Sequence, residues 1–494
     1  MLRSFRNTRR LVSIGFILAY EFALPGGRRK GQRLAAALER LGPAFIKLGQ
    51  ALSTRSDLIG DEMAADLSDL RDNLPPFPTA IARATIEEEF KTPLSSLFKE
   101  FDDTPIAAAS IAQVHKAITS DGKTVAVKIL RPHIAAAFAR DMDLFYWLAE
   151  IIGQRAAWRR LKPLEVVKTF KESVFFELDL RFEAAAATEL AENIKAYEIG
   201  FRVPAVEWNL TSRRVLTTEW IDGIPIHDIA AIKASHFDPD MILAKAAQSL
   251  FSQVFKDGFF HADLHPGNLF VDRQGDIVAV DFGIMGRLDW NSRLYIAEIL
   301  RGFMMQDYRH VAEVHFTAGY VPKGKSLEAF TQACMAVAQP IIGKPLNEIS
   351  VANLLGQMFK IAAEFEMEVQ PQLLLLQKTM MVTEGVGRML NPHLNMWELA
   401  APMMEDWAKE NFGIQGKIKD AARQGYDIAR KIPIMLDYVE NAAKSFGDPQ
   451  GIRLHPLTVE ALNAPILGNQ RQWLWLGWSA LLVVMGLGGI WLLK

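Results

Sequence analysis

Three oxygen-bearing side chains, Asp263, Asn268 and Asp281, fall within one short part of the chain. They lie in the runs Phe259-Phe260-His261-Ala262-Asp263-Leu264-His265-Pro266-Gly267-Asn268 and Val278-Ala279-Val280-Asp281-Phe282-Gly283. Such groups suit a hard cation such as Mg²⁺, which takes oxygen ligands and shares them with substrate phosphates. Asp263 stands five residues before Asn268, the spacing H-R-D-x-x-x-x-N of a kinase catalytic loop, and Asp-Phe-Gly follows. The pattern points to phosphoryl transfer. Two plainer readings stand beside it: Asp281-Phe282-Gly283 as an ordinary strand exit, and a zinc site at His261 and His265. Pro266-Gly267 opposes the helix that the zinc pair would need, and no further His or Cys cluster lies nearby.

Those side chains need a frame. Leu269-Phe270-Val271 leaves the loop, the polar turn 272–276 reverses the chain, and Val278-Ala279-Val280 returns to Asp281, so a hairpin presents the three groups from neighbouring ends. Upstream, the run 106–117, with Ala107-Ala108-Ala109-Ser110 and Val114 in it, leads through the turn Asp121-Gly122 to Val125-Ala126-Val127-Lys128-Ile129-Leu130. A strand ending Val-x-Val-Lys is how kinase-like small lobes hold a phosphate-binding lysine. Alone, Lys128 reads as a snorkelling edge residue. With the acidic set downstream in kinase order, it reads as the phosphate lysine. Alanines occupy the loop where kinases have glycines; their Cβ atoms hold the backbone farther from a phosphate, so nucleotide grip or selectivity should differ.

Helical spacing over 33–55 encloses Lys47-Leu48-Gly49-Gln50. A glycine inside a helix is roughly 1 kcal/mol worse than alanine, which implies close approach by another element. A long helical stretch is expected over 166–197, where Glu177, Asp179 and Glu183 are each available to pair with Lys128 or to reach a metal-bound phosphate. Phe175, Phe176 and Phe182 imply that it packs, against the alternative of a solvated face. The segment 215–223 reads as a closing strand and a crossover between lobes. Glu219 and Ile221 on it are candidates for the backbone contact to adenine that such crossovers make.

At 494 residues the chain is too long for one simple core. A net charge of −2 gives no general attraction to nucleic acid, although residues 1–33 carry eight Arg/Lys against the single acid Glu21, an end that could face anionic lipid. Its apolar part, 11–24, is short for a span and lacks a cleavage site, so an interfacial helix is expected. The lone cysteine, Cys334, excludes an intrachain disulfide and reads as a small buried residue in a reducing cytosol. Residues 473–493 form a 21-residue uncharged run between Arg471 and Lys494, with tryptophans near both ends, and predict a transmembrane helix. The helical runs in 346–464 carry no motif that converts into chemistry.

Taken together, these residues resemble the UbiB family of atypical protein-kinase-like proteins over roughly 30–345. The markers are Lys47-Leu48-Gly49-Gln50 as K-x-G-Q, Ala107-Ala108-Ala109-Ser110 as the Ala-rich loop, Lys128, Glu177-Leu178-Asp179 as E-x-D, His261–Asn268 as H-A-D-x-H-P-G-N, and Asp281-Phe282-Gly283. With the chain ends added, the expected architecture is α+β, a two-lobed protein-kinase-like fold. Its parts are a basic leader 1–32, a helical K-x-G-Q extension 33–100, a small lobe 101–218, a large lobe 219–345, a helical region 346–464 and the span 473–493.

The resemblance implies ATP or ADP with Mg²⁺ as cofactors. Ala107, Ala108, Ala109, Ser110, Val114, Lys128, Glu219 and Ile221 would surround the nucleotide, Asn268 and Asp281 would hold the metal, and Asp263 and Lys128 would be catalytic. Lys47, Gln50, Glu177, Asp179 and Glu183 would gate substrate access, with the K-x-G-Q helices folded over the site. It further implies ATP hydrolysis at a bacterial-type inner membrane in support of ubiquinone biosynthesis, with the catalytic domain cytoplasmic. The partners would be lipids, quinone precursors and other biosynthetic enzymes, with no nucleic acid and with a homodimer as a further expectation. A true kinase acting on a protein or small molecule, and a non-catalytic nucleotide-binding scaffold, are the competing functions. No flavin fingerprint or oxygenase triad supports a hydroxylase.

Overall fold

Alternating apolar residues between 98 and 130 build an antiparallel sheet that places Lys128. The structure is a computed structural model. It describes residues 2–23, 27–53, 59–68, 70, 74–154, 163–197, 199–339, 361, 362, 364–367, 370–391, 403, 407, 410 and 411. Strands β1 (Phe98–Phe101), β2 (Ala107–Ala108), β3 (Ala112–Thr119) and β4 (Thr124–Leu130) come first, and after β5 (Phe201–Arg202) follows β6 (Val215–Glu219). The sheet order is β1-β3-β4-β6, with β2 on the edge of β3. One face of β4 buries Val125, Val127 and Ile129 against Phe77, Ala82 and Ile86. Each such side chain contributes roughly 1.5–3 kcal/mol when removed from water. Alternation then turns Lys128 to the opposite face.

The helices before the sheet differ from the expected single helix over 33–55. Helix Lys30–Leu41 ends at Gly42, whose φ of 105° only glycine adopts freely, and helix Pro43–Ser53 starts afresh. Proline fits a first helical turn but not an interior, so Gly42-Pro43 sets the break. Leu38, Leu41, Phe45 and Leu67 join Phe138 and Phe145 of helix Ile134–Gly153 in one core. The stretch expected over 166–197 also divides, into helices Pro163–Glu177 and Leu180–Ile194.

The second lobe holds β7 (Gly223–Pro225), β8 (Phe259–His261), β9 (Leu269–Asp272), β10 (Ile277–Ala279) and β11 (Met285–Arg287). Its sheet runs β5-β10-β9-β7, and β8 pairs with β11. Strand β5, within the segment expected for the small lobe, thus joins the sheet of the large one. Helix Pro239–Phe251 continues through a wider π turn at 252–257 to Gly258 and β8. A satellite core gathers Tyr308, Val311, Phe330 and Cys334, and helix Pro371–Leu390 closes the described part.

These elements belong to one unit, Met1–Trp407; the second, Ala408–Lys494, falls almost entirely outside the described residues. So does the predicted span at 473–493, as does most of the helical region expected over 346–464. Among the described residues no helix is long and apolar enough to cross a membrane.

Candidate active site

The hairpin read from the sequence forms, with Ile277 opposite Val271 and Ala279 opposite Leu269. Ahead of it the loop closes on itself. The N–H of His265 donates to the Asp263 carbonyl at 2.7 Å, and that of Asn268 to the His265 carbonyl at 2.8 Å. The Asn268 carboxamide donates to the same Asp263 carbonyl at 3.2 Å, which leaves its oxygen for a cation. Beyond β10, Val280 N–H donates to the Asn268 carbonyl at 2.9 Å, so Asn268 lies beside the residue that precedes Asp281.

Asp281 has φ 67°, a left-handed conformation uncommon for a residue with a side chain. The kink turns its carboxylate toward the small lobe, where Asp281 Oδ1 is 3.2 Å from Lys128 Nζ. Lys128 also donates to both oxygens of Glu183, at 2.8 and 3.0 Å. Glu183 accepts a third bond, from Phe282 N–H at 3.3 Å. Phe282 is buried with its ring edge-on to His261, 5.4 Å between centroids. Small lobe, helix Leu180–Ile194 and the Asp-Phe-Gly turn therefore meet at one ammonium.

Burial opposes charge on Lys128, but Asp281 and Glu183 outweigh it and raise the lysine pKa. Burial likewise works against the Asp281 carboxylate and is overcome by the charge and hydrogen bond of Lys128, aided by Lys47, so its pKa is lowered. Glu183 goes up, because burial and the charge of Asp281 outweigh Lys128. One ammonium is shared by two carboxylates. His261 is pushed down by burial, with Asp281 and Asp263 opposing, and its Nδ1 accepts from Asp263 N–H at 3.1 Å. A neutral imidazole holding the loop fits that geometry better than a zinc ligand. His265 Nδ1 is likewise engaged, accepting from Gly267 N–H at 3.1 Å.

The E-x-D residues separate in role. Glu177 pairs with Lys47 at 2.7 Å, both side chains being nearly buried. Asp179 accepts from Arg181 N–H at 3.2 Å as the cap of the Glu183 helix, and its carboxylate is held by the Arg181 guanidinium at 2.7 Å. Only Glu183 of the three reaches Lys128. Gln50 accepts the Ser53 hydroxyl through its backbone carbonyl at 2.7 Å, next to Gly49. A Cβ on Gly49 would stand 2.7 Å from Leu38 Cδ1 and closer still to Leu70.

In the Ala-rich loop, Ala107 and Ala108 pair with Val114 and Gln113, and Ala109 N–H donates to the Ala112 carbonyl at 2.7 Å. Val114 lies on the same rung as Lys128 and Leu216. Ser110 is buried rather than presented on the loop surface. Arg131, which the motifs did not single out, donates to the Ala109 carbonyl at 2.9 Å and to the Pro75 carbonyl at 2.9 Å, tying the loop to the preceding segment. On the crossover, the Glu219 carboxylate is taken by Arg202 at 2.9 Å and its N–H donates to Ala205 at 2.8 Å. Trp220 N–H is engaged with Thr124. Ile221 has no backbone hydrogen bond among the described residues and is the better candidate for adenine.

Lys378, on helix Pro371–Leu390, is the other residue that motif reading passed over: its ammonium lies 2.8 Å from Asp263 Oδ1. The available signal was weak, a single charge between Glu368 and Glu384.

Asn268 and Asp281, on backbone joined by the Val280 N–H bond to the Asn268 carbonyl, would supply a neutral and an anionic oxygen, a set that fits a hard cation completed by phosphate and water. Among the described residues no group of three or more His, Cys, Asp or Glu could hold a metal unaided.

The model of the ABC1 atypical kinase-like domain matches residues 69–315, and that of the UbiB helical domain matches 334–395. A protein of Marinobacter nauticus named "Probable protein kinase UbiB" is 39% identical over 471 residues, covering 94% of this chain and 86% of its own. One of the same name from Shewanella sp. (strain MR-4) is 41% identical over 417 residues, covering 83% and 74%. Among solved structures, Rv3197 of Mycobacterium tuberculosis in complex with erythromycin matches with a TM-score of 0.52 and 25% identity, over 74% of this chain and 92% of that one. With a protein-kinase-like fold and these relatives, the chain belongs to the UbiB family of atypical, ABC1-type kinase-like proteins.

Proposed function

We propose that this chain binds a magnesium nucleotide between its two lobes and hydrolyses it at a membrane, in support of ubiquinone biosynthesis. The observation that carries the reading is Lys128 paired with Glu183 at 2.8 Å and lying 3.2 Å from Asp281, which brings together the lysine–glutamate pair and the metal-side aspartate that kinase-type phosphoryl transfer uses. Lys128 grips the nucleotide phosphates, and Glu183 fixes its direction. Asn268 and Asp281 would hold Mg²⁺, which when bound neutralises charge building on the phosphates. Asp263 orients the attacking water. Ile221 offers its backbone to the adenine. Catalysis is then mostly positioning and charge neutralisation.

The membrane part of the proposal rests on the basic residues 1–33 and the uncharged run 473–493; the ubiquinone part rests on relatives named UbiB. The test compares ATP hydrolysis by wild type and Asp281→Asn on anionic vesicles containing a quinone-precursor mimic. Hydrolysis lost in the variant supports the reading, and unchanged hydrolysis removes the metal site and the mechanism with it. A second reading, phosphoryl transfer to a protein hydroxyl, is favoured by the relatives' name as protein kinases. It requires a labelled product from γ-labelled ATP.

A further inference from the structure

The loop that carries Asp263 offers it no cation of its own. His265 turns its ring nitrogen back to Gly267 N–H, and Lys128 is occupied with Glu183 and Asp281. The positive charge beside Asp263 comes instead from Lys378, 115 residues later in sequence, at 2.8 Å.

The helix that delivers it is fixed independently of that contact. Thr379, adjacent in sequence, is fully buried, and its hydroxyl lies 3.4 Å from the carbonyl of His261, the last residue of β8. About one turn further on, Thr383 is buried as well, its hydroxyl donating to the Thr379 carbonyl at 2.8 Å. Leu376, Val386 and Leu390 are buried, and Gly387 lets the helix approach Leu243 so closely that a Cβ would stand 2.9 Å from its Cδ1. Asn391 then donates to the Asp240 carboxylate at 2.7 Å. From Leu376 to Asn391 the helix is thus seated against helix Pro239–Phe251, β11 and the end of β8, and Lys378 and Asp263 are each about one-third exposed, 36% and 35%. An ion pair with that exposure adds little to folding. Burial of the helix is already secured by its apolar and threonine face.

We infer that Lys378 is a positioning residue of the phosphoryl-transfer centre, supplied by the helical domain, which fixes the Asp263 carboxylate through Oδ1 and leaves Oδ2 to face the attacking group. Its ammonium also places positive charge next to the site where phosphoryl oxygens gather. Residues 371–390 are thereby part of the active site and not a distant appendage. The inference deepens the proposed hydrolysis and rests on it.

The test uses the full chain on anionic phospholipid vesicles and compares wild type, Lys378→Met and Lys378→Arg. Three quantities are measured: the Kd for MgATP, kcat for hydrolysis and the midpoint of unfolding. For Lys378→Met the expected result is a kcat lowered roughly 10- to 100-fold, the effect of losing a charge-assisted contact. Its Kd should stay within a few-fold and its unfolding midpoint close to that of wild type, and Lys378→Arg should recover part of kcat. Wild-type kcat in Lys378→Met overturns the inference and leaves the hydrolysis intact. So does a loss of kcat that follows a lowered midpoint and is not recovered by arginine. Wild type that binds MgATP without hydrolysing it overturns the proposed hydrolysis, and the inference falls with it.

Discussion

Lys47 and Glu177 form a nearly buried ion pair, 2.7 Å between Nζ and Oε2, that links the K-x-G-Q helix to the end of helix Pro163–Glu177. Removing one partner of such a pair strands a charge away from water, at about 3–5 kcal/mol. Lys47→Met should therefore destabilise the protein by that order in a urea titration. Lys47→Met combined with Glu177→Leu should recover much of the loss, because two apolar groups replace both charges. Additive effects in this double-mutant cycle would show that the pair is not the coupling between the two helices.

Glu183 and Asp179 lie four residues apart and should respond in opposite ways. Glu183→Gln weakens the bond that directs Lys128, worth about 1.5–3 kcal/mol for a charged hydrogen bond, so kcat/KM for ATP should fall roughly 10- to 100-fold. Asp179→Ala removes a helix cap and should lower stability by about 1 kcal/mol with kcat/KM nearly unchanged. Steady-state kinetics and thermal unfolding on both variants check this. Equal losses of activity would place Asp179 at the nucleotide instead.

The pH dependence of the Lys128 and Asp281 contact has a definite sign. Asp281 is depressed below its ordinary 3.8, so its contribution to stability is complete above that value and is lost as pH falls through the lower folded value. Lys128 is raised above its ordinary 10.5, so its contribution is complete below that value and is lost only as pH rises through the higher folded one. The stability difference between wild type and Asp281→Asn should shrink toward acid, with a separate slope above pH 4.5 from Glu183, whose raised pKa depends on the Asp281 charge, while that for Lys128→Met shrinks toward alkali. Unfolding free energies at a series of pH values measure both. A difference that stays unchanged down to the acid limit for Asp281→Asn, or up to the alkaline limit for Lys128→Met, would contradict the assignment.

How much of this was legible depended on whether the signal was local. Asp263, Asn268 and Asp281 came from spacing and turn chemistry within one hairpin, and Lys128 from a strand with strict alternation; the fold needed only to bring two local patterns together. Apolar spacing continues across the break at Gly42-Pro43, from Leu38 and Leu41 to Phe45, so periodicity hides it and only the proline marks it. The same continuity runs across Asp179, where the one local sign of a new helix is an aspartate placed to cap it. Glu219 and Ile221 are equal backbone candidates in the sequence; only the fold shows that the Glu219 N–H is taken by the Ala205 carbonyl and its carboxylate by Arg202. Lys378 is a matter of tertiary structure: nothing near it in sequence states that its helix will pack on β11 and helix Pro239–Phe251 and so reach Asp263.

Gly49 sets two effects of similar size against each other. Alanine is better than glycine in a helix by about 1 kcal/mol, but a Cβ there would overlap the methyls of Leu38 and Leu70. Overpacking a filled core costs roughly 1–3 kcal/mol. Because two leucines from different elements must move at once, overlap should win, and Gly49→Ala should lower stability by about 1–2 kcal/mol in a urea titration. A stabilised variant would mean that the helices have room to separate and that the glycine does not mark a close approach.

Cys334 offers a probe of the satellite core that perturbs nothing. It is the only cysteine of the chain, 5% exposed, packed with Phe330 and Tyr308. Burial pushes its thiol up to about 12, so almost no thiolate exists at pH 8, and the reactive form is absent as well as hidden. An aromatic disulfide reagent at pH 8 should therefore label the native protein only as fast as this core opens, and the rate should rise with added urea. Labelling should be complete within the mixing time once the chain is unfolded. A native rate that grows linearly with reagent concentration and matches a small free thiol would show the sulfur to be accessible, and would contradict the packing of helix Leu327–Ala338 against helix Tyr308–Thr317.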